Sequence, residues 1–209
     1  MNSVLYNSDF KLNGVSYSLE SLLSTTKITH YSLFKFLKKW TDKSLTLELQ
    51  TSGSTGVPKK LHISKSKMIR SANRTGAFLN LQPSDKALCC LPLDYIAGKM
   101  MLVRALVLGL NLYLTEPVKN PLKTFSMKFD FVAFTPYQLE HSINQLHKTK
   151  TLIVGGAPIN EKTKKILYKN ETDVYETYGM TETVSHIALK HVSKGEQEFK
   201  ALEGVRFEK

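Results

Sequence analysis

Cysteine is scarce in this chain: there are two in 209 residues, Cys89 and Cys90, adjacent within Ala-Leu-Cys-Cys-Leu. Neighbours on a strand point to opposite faces, so they are not expected to bridge one another. A disulfide framework is excluded, and the reading is a reduced, cytoplasmic protein whose thiols are buried structural groups. No apolar run reaches the ~20 residues that cross a bilayer. The most apolar stretch, residues 100–114, is interrupted by Arg104 and Asn111. Residues 1–10 have neither a basic start nor an apolar run, so no signal peptide is expected. Acidic side chains are few, 18 against 29 basic, and the formal charge is +11. That excess suits nucleic acid, anionic small substrates or a solvated surface. No helix-turn-helix, aromatic RNA-binding strand motif or zinc spacing accompanies it, so no specific nucleic-acid partner is expected. Lys35, Lys38 and Lys39 read as the wet face of an amphipathic helix that buries Phe36, Leu37 and Trp40. Internal repeats and low-complexity segments are also missing. The remaining composition, 42% hydrophobic and 22% charged, is that of a globular chain with room for one sizeable domain or two small lobes.

What the sequence does have is a loop that cannot fill a core: Thr51-Ser52-Gly53-Ser54-Thr55-Gly56-Val57-Pro58-Lys59. Gly53 and Gly56 let the main chain approach a ligand closely. Thr51, Ser52, Ser54 and Thr55 supply hydroxyls, and Lys59 supplies a positive charge. Successive N–H groups around a concavity with such a rim suit a polyphosphate. A lone turn of this composition would read as a solvated connection; so dense a set favours a ligand. The loop is not the P-loop of nucleotide hydrolases, which needs Gly, four residues, then Gly-Lys-Ser/Thr opening a helix: here the fourth residue after Gly56 is Lys60, and Pro58 precedes Lys59.

The rest of the chain alternates strands and helices. Residues 10–17 read as a hairpin turning at Asn13-Gly14. Short helices are expected over 18–24 and 31–41. A helix capped by Ser64 or Ser66 should run to about Asn80, with Met68, Ile69, Ala72, Phe78 and Leu79 on its apolar face. Strands follow over 86–91, 111–115, 131–135, 151–154 and 174–178. Helices are expected over 96–108, from Pro136, and over 161–168 after an Asn160 cap. The fold class is α/β, with mostly parallel sheets and helices on both faces. The irregular stretch 116–128 is the expected boundary between a lobe of residues 1–118 and one of 129–209. Four unusual loops each follow a strand: 51–59, 92–98, 155–158 and 179–183. In a parallel sheet such loops share one rim, where ligands collect.

Tyr175-Glu176-Thr177-Tyr178-Gly179-Met180-Thr181-Glu182-Thr183, preceded by Gly155-Gly156-Ala157-Pro158 and by the loop at 51–59, resembles the paired signature of the adenylate-forming enzymes. These are the acyl-CoA synthetases, luciferases and peptide-synthetase adenylation domains. The resemblance covers about residues 45–205. It implies ATP, Mg²⁺ and coenzyme A as reactants and a small-molecule carboxylic acid as the partner. It implies that residues 51–59, Lys59 among them, grip the β- and γ-phosphates. Thr181 would bond the α-phosphate, and Glu182 would help hold Mg²⁺. Tyr178 would flank the adenine, with Gly155, Gly156, Ala157 and Gly179 completing the nucleotide set. Taken singly, Glu182 would be a surface carboxylate and Tyr178 a core residue.

Val184–Lys190 and Leu91–Gly98 look like the o-succinylbenzoate–CoA ligase branch, which serves menaquinone (vitamin K2) biosynthesis. On that resemblance Tyr95, Gly156, Ser185 and His186 line the acyl pocket; many relatives carry His where Tyr95 stands. Lys99 or Arg104 can pair with a second carboxylate of the acid, or stand as surface charges on the helix. Other aryl- or acyl-CoA ligases, or a non-catalytic module binding ATP or an acyl-adenylate, are the alternatives. The family continues beyond the Thr-Glu motif with a ribose-binding Asp and a small C-terminal domain carrying an adenylating Lys. Neither is found here, so the chain reads as an N-terminal portion, inactive alone.

Overall fold

The computed structural model describes residues 5–50, 60–168 and 170–206. The loop 51–59 therefore lies outside the described residues. Near the start, β1 (Lys11–Leu12) and β2 (Val15–Ser16) form the expected hairpin. Its turn residues Asn13 and Gly14 both have positive φ, 51° and 84°, as a two-residue hairpin turn requires. Helix α1 (Leu19–Thr29) starts where Ser18 accepts a hydrogen bond from the Ser21 N–H, and α2 (Tyr31–Trp40) comes next. The antiparallel ribbon of β3 (Thr46–Gln50) and β4 (Lys60–Ser64) leads into α3 (Lys65–Leu79). Ser64 stands at the N-cap of α3, but its hydroxyl pairs with that of Ser66 at 2.7 Å and makes no capping bond.

A βα alternation then sets up the main sheet. It runs β5 (Lys86–Cys89), α4 (Ile96–Leu108), β6 (Asn111–Leu114), β7 (Phe129–Phe134), α5 (Pro136–Ser142), β8 (Thr149–Val154), α6 (Glu161–Leu167) and β9 (Asp173–Gly179). Strands β10 (His186–His191) and β11 (Lys200–Ala201) complete it. Among the described residues nine strands form one sheet, in the order β11-β10-β9-β8-β7-β5-β6-β1-β2. The six from β9 to β1 are mutually parallel. The two lobes expected on either side of 116–128 share this sheet, because β7 pairs with β5. The stretch 116–128 is thus a connection that crosses from one side of β5 to the other.

Alternation along the strands feeds two cores. Ala87, Cys89, Phe131, Ala133 and Ile153 face α1 to α4, packing with Met68, Ala72, Met101 and Trp40. Leu88, Cys90, Val132, Phe134 and Val154 face α5 and α6, packing with Leu139 and Leu167. Both cysteines are free and buried, one in each core. Strands covered on both faces read as near-continuous apolar runs, which is why β5 and β7 look as they do. Helix α4 is buried almost all round, from Gly98 to Leu106, with Arg104 inside that stretch.

The order of β5, β6 and β7 also fixes where a ligand can sit. From β5 the chain moves to β6 on one side; from β7 it moves to β8 on the other. The loops after β5 and β7 diverge, leaving a crevice at their carboxyl ends. Open parallel sheets bind ligands at such a switch point.

Candidate active site

A cavity of about 550 Å³ fills that crevice. Its walls come from the loop after β5 (Leu91, Pro92, Tyr95), the end of β7 (Phe134, Thr135), the turn after β8 (Gly155, Gly156) and the end of β9 with its turn (Thr177, Gly179, Thr181, Glu182). Ser185, His186 and the α4 side chain Arg104 form its inner part. The size is that of a small-molecule site.

Two motif glycines are dictated by close packing. A Cβ on Gly155 would lie 2.4 Å from the Thr177 hydroxyl oxygen. One on Gly179 would lie 2.4 Å from the Ser185 carbonyl oxygen, where β9 folds back against β10. Gly156 differs: its φ is +91° and nothing lies within 4 Å of a would-be Cβ. A side chain there would be strained by the backbone and would project into the open cavity.

The Gly155–Pro158 turn is held from below by Glu176. One oxygen of this buried carboxylate accepts the Ile159 N–H at 2.7 Å, and the other lies 2.7 Å from Lys190 Nζ. The next turn is tied internally. The Met180 N–H donates to Thr183 Oγ1 at 2.9 Å, and that hydroxyl donates to the Ser185 carbonyl at 2.8 Å. Val184 closes it at φ +73°, a left-handed conformation that costs a β-branched residue strain of about 1–3 kcal/mol.

The inner wall is a polar chain. Thr75 Oγ1 donates to the Ser71 carbonyl at 3.0 Å, so it accepts from His186 Nε2–H, also at 3.0 Å. That bond assigns the tautomer and turns the Nδ1 lone pair toward Ser185 Oγ, 3.5 Å away. Burial, reinforced by the Arg104 charge, holds the His186 imidazole well below its usual pKa and therefore neutral. Arg104 Nη2 donates to Ser185 Oγ at 2.8 Å. Its guanidinium is 2% exposed, and burial pulls its pKa down to about 10, so it stays charged. No carboxylate among the described residues pairs with it, and its Nε has no hydrogen-bond partner. A buried charge held by one hydroxyl and, through Nη1, by the Met101 sulfur at 3.9 Å is a costly arrangement that an anion in the cavity would relieve. Lys99 points elsewhere, donating to the Asp94 carbonyl.

The structure therefore gathers Tyr95, Gly155, Gly156, Gly179, Thr181, Glu182, Ser185 and His186 on one cavity. Tyr178 and Ala157 do not line it; the Tyr178 ring lies against Phe199, with centroids 5.8 Å apart. The residues Thr51, Ser52, Gly53, Ser54, Thr55, Gly56 and Lys59 lie outside the described set. Sequence reasoning missed Thr177, Thr135 and the supporting Glu176 and Thr75. Period-two alternation from Gly179 would have found Thr177. Among the described residues no group of three metal-ligating side chains exists, and Glu182 is a single exposed carboxylate. Mg²⁺ needs only one or two protein carboxylates when phosphates complete its shell, so Glu182 fits that ion.

A model of the AMP-binding enzyme family matches residues 26–203. The 2-succinylbenzoate–CoA ligase of Listeria monocytogenes is 27% identical over 182 residues, covering 83% of this chain and 38% of the relative. An acyl-CoA synthetase (AMP-forming)/AMP-acid ligase II-like protein from Dyadobacter fermentans superposes with a TM-score of 0.76 and 39% identity. That match covers 83% of this chain and 52% of the other. The O-succinylbenzoate coenzyme A synthetase of Bacillus subtilis, solved with AMP, shares the fold at a TM-score of 0.63 and 22% identity, over 75% of this chain and 43% of its own. The chain thus spans 38% of the length of the Listeria relative.

Proposed function

This chain belongs to the AMP-binding enzyme family, and from that premise we propose that it serves an ATP-dependent carboxylate–CoA ligase acting through an acyl-adenylate. The acid we assign is o-succinylbenzoate, the product o-succinylbenzoyl-CoA, and the setting menaquinone biosynthesis. The observation that carries the choice of acid is Arg104, a buried cation on the cavity wall that no carboxylate of the described residues pairs. An acid with one carboxylate to activate and a second to anchor satisfies it; a monocarboxylate does not. The named Listeria relative supports the same reading.

On this reading one carboxylate of the acid meets Arg104 and Ser185 while the other is presented at the Thr181–Glu182 end of the cavity. A carboxylate oxygen attacks the α-phosphorus and diphosphate leaves; the CoA thiolate then attacks the acyl carbonyl and AMP leaves. Such transfers depend on positioning and on stabilising the charge that develops. Thr181 donates to the α-phosphate, and the open backbone at Gly156 lies along the base and acyl group. Residues 51–59 with Lys59 hold the outer phosphates. Glu182 would help hold Mg²⁺, which would supply neutralising charge beside the phosphates. Neutral His186 cannot repel the Arg104 cation and holds Ser185 in place. Tyr95, half-exposed at the mouth, closes the acyl side.

The test is binding of sulfamoyl-adenosine mimics of the acyl-adenylate, one built on o-succinylbenzoate and one on benzoate. Calorimetry should show the dicarboxylate mimic binding about 10–100-fold tighter, the value of a charge-assisted contact. Arg104→Met should erase that preference while leaving the benzoate mimic nearly unchanged. Equal affinities in the unaltered chain would remove o-succinylbenzoate from the assignment.

A further inference from the structure

A second cavity, of about 310 Å³, opens on the other side of the Met180–Ser185 turn. One wall is α3, which presents Lys67, Arg70 and Arg74. The spacing of three and then four puts these cations on one helical face. The facing wall is Glu182, Thr183 and Val184, with the chain near Leu202 and Val205 behind. None of the three cations has a carboxylate within ion-pair distance among the described residues. Stacking like charges at this spacing disfavours a helix, so a counter-anion would stabilise α3 as well as fill the groove. Two guanidinium forks and an ammonium around a concave surface suit the geometry and charge of a phosphate group better than a carboxylate. Ser71, at the floor, adds a hydroxyl.

The groove is not isolated. Glu182 and His186 line it and the first cavity alike. An anion held by Arg70 and Arg74 therefore sits next to the turn that carries Thr181 and Glu182. We propose that this groove is a second anion site that takes a phosphate or diphosphate group of a reactant. Two sources share that chemistry: the diphosphate released on adenylation, and the phosphates of coenzyme A. The choice of sources rests on the functional reading above; the site itself rests on the three unpaired cations.

Calorimetry at 150 mM salt with inorganic diphosphate, adenosine 3′,5′-bisphosphate and AMP separates these cases. At least one of the first two should bind saturably, and Arg70→Gln/Arg74→Gln should weaken it about 10–100-fold. AMP binding should not change, nor should the anion's affinity in Lys162→Gln/Lys165→Gln, which removes the same charge from α6. Diphosphate alone assigns the groove to the leaving group; the bisphosphate alone assigns it to coenzyme A. In the unaltered chain, NMR shifts on adding the probe should fall on residues 67–74 and 182–187, which covers a variant that fails to fold. Absence of saturable binding, equal loss in the α6 variant, or shifts elsewhere would overturn the proposal. If the phosphate probe binds through Arg70 and Arg74 but the o-succinylbenzoate adenylate mimic binds no tighter than the benzoate mimic, the assignment of the acid falls and the groove stands.

Discussion

A buried ion pair and a buried histidine decide how the candidate site responds to mutation and to pH. Glu176 and Lys190 are about 5% and 11% exposed as side chains and lie 2.7 Å apart. Removing one partner of such a pair leaves a desolvated charge and costs about 3–5 kcal/mol, whereas replacing both by apolar groups is often far cheaper. Glu176→Leu and Lys190→Met should each lower urea stability by that order, and the double variant by clearly less than their sum. Additive losses would show that the pair is not coupled. Even a stable double variant should lose order in the Gly155–Pro158 turn, because the Ile159 N–H has lost its acceptor. His186 sets the pH response. Its folded pKa lies well below the usual value of 6.5, so below 6.5 the unfolded chain takes up a proton that the folded chain refuses. The contribution of His186 is complete above that pH and is lost as pH falls, at up to about 1.4 kcal/mol per unit. His191 is shifted in the same direction, chiefly by burial, and adds to the slope. Unfolding measured between pH 7 and 5 should steepen below 6.5, and His186→Gln should remove part of that slope. An unchanged slope would mean that His186 titrates normally in the folded chain.

At the scale of elements, the site depends on how α4 docks. Gly98 lies in the first turn of α4, and a Cβ there would sit 2.3 Å from the Pro92 carbonyl oxygen. Backbone cannot step aside cheaply, so Gly98→Ala should push α4 off the Leu91–Pro92 segment that walls the cavity. The expected cost is about 1–3 kcal/mol, as is usual for overpacking. Weaker binding of the o-succinylbenzoate adenylate mimic should accompany it. A variant as stable and as tight-binding as the parent would show that the segment yields freely. The bounds of α4 were legible in the sequence, since apolar residues run from Ile96 to Leu108 and Gly109 ends them in the left-handed conformation. The depth of Arg104 was not, because periodicity assigns a charge to the wet side. A helix apolar all round has no wet side, and that was the overlooked signal. Strands β7 and β8 begin two residues earlier than expected, at Phe129 and Thr149. Their charged members Asp130 and Lys150 interrupt the apolar run, although backbone pairing continues through them. Tyr178 was expected at the adenine by resemblance; strand alternation gives the cavity side to Thr177 and Gly179. The motif loops fell on one rim as expected wherever they are described, because parallel pairing aligns strand ends whatever the loops contain.

For the whole molecule, the charge of +11 is large enough to attract any polyanion, and its distribution decides whether that attraction becomes specific. The lysines of α2, the cationic face of α3 and Lys162, Lys164 and Lys165 of α6 stand on different elements. Helices α2 and α3 cover one face of the sheet and α6 the other. No single stripe spans them among the described residues, and the group Lys67, Arg70 and Arg74 lies in a groove too small for a duplex. Base readout needs an element seated in a groove of the nucleic acid with side chains at base edges, and the sequence, without a helix-turn-helix or an aromatic RNA-binding strand motif, leads us to expect none here. The remaining force is phosphate attraction, which is independent of sequence and collapses as salt displaces it. Fluorescence anisotropy with two unrelated duplexes of about 20 bp should give matching affinities at 50 mM salt, and at physiological salt none tighter than about micromolar. At 200 mM salt binding should weaken by about a hundredfold or more, as the release of several counterions requires. Adenylate-mimic binding at the buried Arg104 should change far less over the same range, because a desolvated ion pair is poorly screened. A duplex preference above about tenfold that survives 200 mM salt would show a specific nucleic-acid surface and remove the scattered-lysine explanation of the charge. The opposite pattern, with mimic binding as salt-sensitive as DNA binding, would place the mimic on the exposed lysines and outside the crevice between β5 and β7.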